Sequence, residues 1–155
     1  MWGDDEIVQQ RSLHSLGRVI FVRVPEGSKP HQYIEDVLSE QGIKAAWING
    51  LGGFRWARVG FLNVENRSYY VKDVEARYPN IIEVSSLIGN SILGPDGSYY
   101  THIHVTLGID EDTTIAGHLI DANVEPFLEL LIVELVGDYT RMAELLSHRW
   151  AHAKK

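Results

Sequence analysis

Two strand-like segments separated by only three residues do most to limit what this chain can fold into. Residues 99–109 and 113–122 are rich in β-branched side chains, and the intervening Asp110-Glu111-Asp112 reads as a tight turn. A connection this short joins neighbouring strands only as an antiparallel hairpin. A three-residue loop sets Ile109 against Thr113. Each step back along both strands keeps the paired numbers summing alike, so His104 is predicted to lie opposite His118. Side chains alternate faces along a strand, so His102 and His104 of Thr-His-Ile-His-Val share one face, and Ile103 and Val105 take the other. Directly opposed Cβ atoms stand roughly 4.5–5.5 Å apart, close enough for two imidazoles to share an ion.

Three imidazoles converging in this way, His102, His104 and His118, suit Zn²⁺ first, with Zn–N distances of about 2.0–2.1 Å and a fourth position open to water or substrate. Ni²⁺, Fe²⁺ and Cu²⁺ also accept imidazole, so the pattern does not choose among them. Everything turns on register, because a four-residue loop would send His118 to the opposite face. On pattern alone, polar decoration of a half-exposed strand is the more economical explanation of a His-x-His. Gly117, just before His118, allows close approach of a backbone or ligand.

Residues 18–24 (RVIFVRV) form a strand ending at Pro25-Glu26-Gly27. Ser28 as cap, Pro30 in the first turn and an apolar stripe of Tyr33, Ile34, Val37 and Leu38 predict a helix that Gly42 stops. Residues 44–51 are expected as a second strand broken by Gly52-Gly53, with further strands over 54–64, 69–74 and 81–93. The near-continuous apolar stretch 126–136 reads as a central strand. Asp138 or Thr140 then caps a last helix over about 139–152 that carries Met142, Leu145, Leu146 and Trp150. The expected class is α+β, a largely antiparallel sheet flanked by helices, in one domain over 1–155 with its core at about 18–136.

With 45% hydrophobic and 23% charged residues the composition is that of a globular protein, and the absence of cysteine excludes disulfides and thiolate metal sites. Fourteen basic residues against 21 acidic give a net charge of −7, and the only dense basic tract is Lys154-Lys155, which argues against non-specific DNA binding. The acidic start Met1-Trp2-Gly3-Asp4-Asp5-Glu6 is unlike a secretory signal, and no apolar run is long enough to span a membrane, so a cytoplasmic protein is expected. Glu83, on a strand expected beside the hairpin, is a candidate general base toward a metal-bound water or a partner for a ligand imidazole; a solvated strand glutamate reads equally well. Gly50-Leu51-Gly52-Gly53 has no following Gly-Lys-Ser/Thr and reads as a bulge or tight bend rather than a phosphate loop. Arg55, Trp56 and Arg58 combine cations with an aromatic ring, a set that suits a nucleic acid or a partner chain.

The order Gly-Leu-Gly-Gly-Phe, Glu-Val-Ser-Ser-Leu-Ile-Gly-Asn, Asp-Gly, His-Ile-His-Val, Ala-Gly-His-Leu-Ile resembles the plant-and-prokaryote-conserved (PPC) domain from about Arg18 to Val136. The resemblance implies an α+β fold that assembles as a homotrimer. In plants the domain follows AT-hook motifs that supply DNA binding, and stand-alone prokaryotic members carry a DNA-binding, regulatory assignment. No Arg-Gly-Arg-Pro hook occurs in this sequence, so the likeness is to the stand-alone type. The fold is also similar to that of acetolactate decarboxylase, which holds a metal on three histidines. That analogy favours the metal reading of His102, His104 and His118, with Zn as the expected cofactor. It also keeps open a metal-dependent lyase or hydrolase acting on a small molecule.

Overall fold

The computed structural model describes residues 10–153, with side chains described to residue 147. The acidic start, Lys154-Lys155 and the side chain of Trp150 lie outside the described part. Six strands and two helices follow in the order β1 (His14–Pro25), α1 (Pro30–Gln41), β2 (Ala45–Asn63), β3 (Ser68–Glu75), β4 (Ile82–Leu93), β5 (Tyr99–Gly108), β6 (Thr114–Gly137) and α2 (Tyr139–Ala153). Every strand pairing is antiparallel. The class is therefore the expected one, a mostly antiparallel sheet with two helices.

The expected strands over 44–51 and 54–64 are one strand, β2, and those over 113–122 and 126–136 are likewise one, β6. At about 3.3 Å per residue a straight strand of β6's length would reach roughly 80 Å. It bends instead: its pairing with β2 shifts register between Gly52 and Phe54, Phe54 and Trp56, and Arg58 and Val59. The glycines expected to break β2 allow this crossing. A Cβ on Gly50 would stand 2.6 Å from the Glu129 carbonyl oxygen, and one on Gly52, at φ +146°, would collide with the carbonyl of Phe127. The Gly50–Gly53 segment is thus a bend within a continuous strand.

Because β6 pairs with β5 through its first residues and with β2 along most of its length, pairing closes through β2, β4, β5 and β6. Closure removes free edges from those four strands and leaves β1 and β3 outermost. The inward side chains form the main core, where Ile34 and Leu38 of α1 meet Val24, Ile48, Phe54 and Leu107. A smaller cluster of Ala45, Ile92 and Met142 seats α2.

Helix α1 begins with Lys29 at its N-cap and has no side-chain cap, contrary to the expectation for Ser28. The Ser28 carbonyl accepts the Val124 N–H at 3.1 Å, which ties Ser28 to β6, and the helix starts one residue later, after an extended Lys29. Gly42 ends α1 at φ +64°, and the Ile43 N–H donates to the Leu38 carbonyl at 2.9 Å, as the C-terminal glycine motif requires. Asp138 caps α2, its Oδ1 accepting the Arg141 N–H at 3.0 Å. Among the described residues no helix is long and apolar enough to cross a membrane.

Candidate metal centre

The β5–β6 turn forms as its spacing requires. The Ile109 N–H donates to the Thr113 carbonyl at 2.9 Å, and the Asp110 side chain accepts the Asp112 N–H at 2.9 Å. His104 lies opposite His118. Along β5 the alternate residues Thr101, Ile103, Val105 and Leu107 are buried, which turns His102 and His104 to the outer face. Ring centroids stand 4.8 Å apart for His102 and His104, 5.1 Å for His102 and His118, and 5.7 Å for His104 and His118. One nitrogen from each of the three rings lies within 4.8 Å of the other two. A tetrahedral Zn²⁺ at about 2.0–2.1 Å from each nitrogen needs them roughly 3.3 Å apart, so the rings would have to draw closer together to hold it. His104 is exposed and the other two are half-buried, so a bound ion would keep a side open to solvent. The donor set fits a borderline transition metal: all imidazole, no thiolate, no carboxylate.

The floor of the site is built by close strand approach. A Cβ on Gly117 would stand 2.8 Å from Cγ1 of Val59, and one on Gly60 would stand 2.8 Å from the Tyr69 ring. With Gly60 bare, Tyr69 reaches across β2 and stacks on His118, centroids 5.1 Å apart and planes 25° apart. Gly60 is the residue opposite His118, so one missing side chain makes room for the ring that braces His118.

Glu83 is not brought to this cluster. It lies opposite Gly108, four residues along β5 from His104, or roughly 13 Å at strand spacing. There it lines a separate hollow of about 410 Å³ with Asn80, Asp110 and Glu111. A residue that spacing did not single out, His31 in the first turn of α1, comes close enough to His118 and Asp121 to interact with them electrostatically. Burial pushes its imidazole down to about 4, the neighbouring His118 imidazole adds to that shift, and Asp121 opposes it. Lys29 completes the surroundings, pairing with Asp121 at 2.9 Å and lying 5.3 Å from the Trp56 ring. Only the packing of α1 beside β6 places His31 here, and no local pattern could have announced it.

His31 makes acid stability testable. Its folded pKa lies below the ordinary histidine value, so its contribution is fully present above about pH 6.5 and is lost as pH falls toward 4. The loss is bounded at about 3 kcal/mol by the size of the shift. Urea midpoints of metal-free protein at pH 7 and 4.5 should fall more steeply for the wild type than for His31→Gln. Parallel curves would remove His31 from the acid limb.

A closed antiparallel sheet bearing three convergent imidazoles on its outer face defines a candidate metalloprotein of α+β class. The chain belongs to the Plants and Prokaryotes Conserved (PCC) domain family, written PPC above, whose family model matches residues 11–136. It is similar to a PPC protein of Pyrococcus horikoshii, with 35% identity and a TM-score of 0.73 over 81% of this chain and 84% of that one. It is similar also to a metal-containing protein of Archaeoglobus fulgidus, with 31% identity and a TM-score of 0.74 over 83% and 87% of the two chains. A candidate DNA-binding protein of Bacteroides thetaiotaomicron shares the fold at 21% identity, with a TM-score of 0.68 over 82% of this chain and 98% of that one. No curated protein matches the chain.

Proposed function

We propose that this protein is a homotrimeric metal-binding module that holds one divalent transition ion, zinc first, on His102, His104 and His118. One observation carries the reading: the β5–β6 register sets His104 opposite His118 with His102 on the same face, which gathers three imidazole nitrogens within 4.8 Å. The metal-containing relative from Archaeoglobus fulgidus supports it. When bound, such an ion offers Lewis acidity and open positions to an oxygen- or nitrogen-bearing ligand. The protein's own contribution is to aim the rings and brace one of them with Tyr69. The distance of Glu83 from the cluster favours a ligand-binding or structural metal over a lyase or hydrolase that uses Glu83 as base.

Charge pairing speaks against DNA as the partner. Arg18, Lys29, Arg55, Arg58, Arg77 and Arg141 each stand within ion-pair reach of a carboxylate, so phosphates would have to displace existing partners. Arg55 and Arg58, the cations of the aromatic triplet, pair with Glu125 and Asp73. Elemental analysis of protein loaded with Zn²⁺ and freed of excess should find about one ion per chain. Substoichiometric metal after loading would overturn the reading. The same preparation should show no DNA affinity even at low salt, where phosphate contacts are strongest. Salt-dependent binding there would restore the nucleic-acid reading.

A further inference from the structure

The pairing register draws two rows across the outer face of the sheet. One runs Val19, Val133, Trp47, Asn90, His102; the other runs Phe21, Leu131, Asn49, Ile88, His104. No member of either row is acidic, lysine or arginine. Phe21 is 67% exposed, Val19 59% and Trp47 45%, and Leu51, Ile88 and Leu131 extend the same surface. Six such side chains at about half exposure present on the order of 500 Å² of apolar area, at the upper end of what a soluble monomer leaves bare.

A second apolar surface lies on the other side of the histidines. Pairing of β2 with β6 stops at Gly60, opposite His118, but β2 and β3 continue together to Asn63 and Ser68 as a two-stranded ribbon. The ribbon is apolar on both faces: Phe61 and Tyr70 on one, Leu62 and Val71 on the other, with Tyr70 67% and Leu62 54% exposed. A bare two-stranded ribbon is marginal in water, so these faces call for cover.

We infer that the β2–β3 ribbon of one copy docks on the outer sheet face of the next, and that this contact encloses the open side of the three-histidine site. The inference rests on the homotrimer and metal reading proposed above and deepens it. Two unlike patches on one chain are what a heterologous interface needs, and such contacts close into a ring when the rotation permits. A twofold contact of the sheet face with itself would leave the ribbon bare. Size decides what the contact covers. A standard interface takes about 800 Å² from each partner, a disc of roughly 15 Å radius. Centred on Trp47 and Leu131 of β2 and β6, it reaches past β5, which lies only two strand spacings, about 10 Å, from β2. His104, the exposed member of the cluster, therefore falls under the neighbouring copy.

Light scattering at micromolar concentration, with Zn²⁺ titration, tests this on Phe21→Asp (sheet face) and Tyr70→Asp (ribbon). Both side chains are exposed, and circular dichroism would verify that the fold persists. The wild type should be trimeric and each variant monomeric. Because the contact is between unlike patches, mixing the two variants restores one good interface and should give a dimer. Both monomeric variants should bind Zn²⁺ at least about tenfold more weakly than the wild type. A monomeric wild type that still holds one Zn²⁺ per chain would overturn the docking and leave the metal reading standing. So would a monomeric wild type that binds neutral phosphatidylcholine vesicles through this face, or variants that keep the trimeric mass. Monomeric variants with unchanged Zn²⁺ affinity would overturn the enclosure of the site.

Discussion

His104→Ala is expected to weaken Zn²⁺ binding by at least about 100-fold, since removing a ligand costs more than removing the partners that orient one. The side chain is exposed, so its loss empties no cavity, and stability without metal should stay within about 0.5 kcal/mol of the wild type. The two effects separate cleanly. An ion held more tightly by the folded site than by the unfolded chain stabilises the fold, so Zn²⁺ at a concentration that saturates the wild type should raise its melting temperature well above any shift in the variant. Chelator competition gives the affinities, and melts with and without Zn²⁺ give the linkage. Equal affinities for the two proteins would end the three-histidine assignment, because His104 sits opposite His118 at the centre of the register that gathers the rings.

The second large effect is structural. Gly52→Ala should destabilise the fold by about 3 kcal/mol or more, through backbone strain and collision together. At φ +146° an L-residue is already strained, and the new Cβ would meet the Phe127 carbonyl and come within 2.8 Å of the Leu128 Cα. Neither neighbour is the yielding tip of a side chain. Gly27→Ala is the control, since Gly27 also has positive φ, +82°, but nothing stands within 4 Å of its would-be Cβ. That change should cost about 1 kcal/mol, the conformational part alone. Urea midpoints at matched slope compare the two. Equal losses would mean that close passage of β2 over β6 is not what the glycine is for. The crossing matters to the site, because the same β2–β6 pairing carries Gly60 to His118 and Tyr69 into its stack.

Much of the site is legible in the sequence. Alternation along Thr-His-Ile-His-Val and a three-residue loop are short-range facts, and a hairpin's register follows from its own turn, so the approach of His102, His104 and His118 could be counted out along the chain. The start of α1 was readable to within one residue, and the stop at Gly42 directly, because proline and positive-φ glycine act on their own backbone. The segment Gly50-Leu51-Gly52-Gly53 shows where local reading fails. A glycine that ends a strand and a glycine that lets two strands touch look alike in sequence, and the difference lies in residues 125–130 of β6.

The chain by itself determined the antiparallel hairpin, the shared face of its histidines, the first helix and the α+β class, each a consequence of spacing, side-chain alternation or backbone restriction over a few residues. Tertiary structure alone decided that β2 and β6 are single bent strands closing a ring, that Tyr69 braces His118 over a bare Gly60, that His31 lies beside the cluster and that Glu83 does not. Those outcomes depend on contacts between segments far apart in the chain, where packing chooses among arrangements that local chemistry leaves equal.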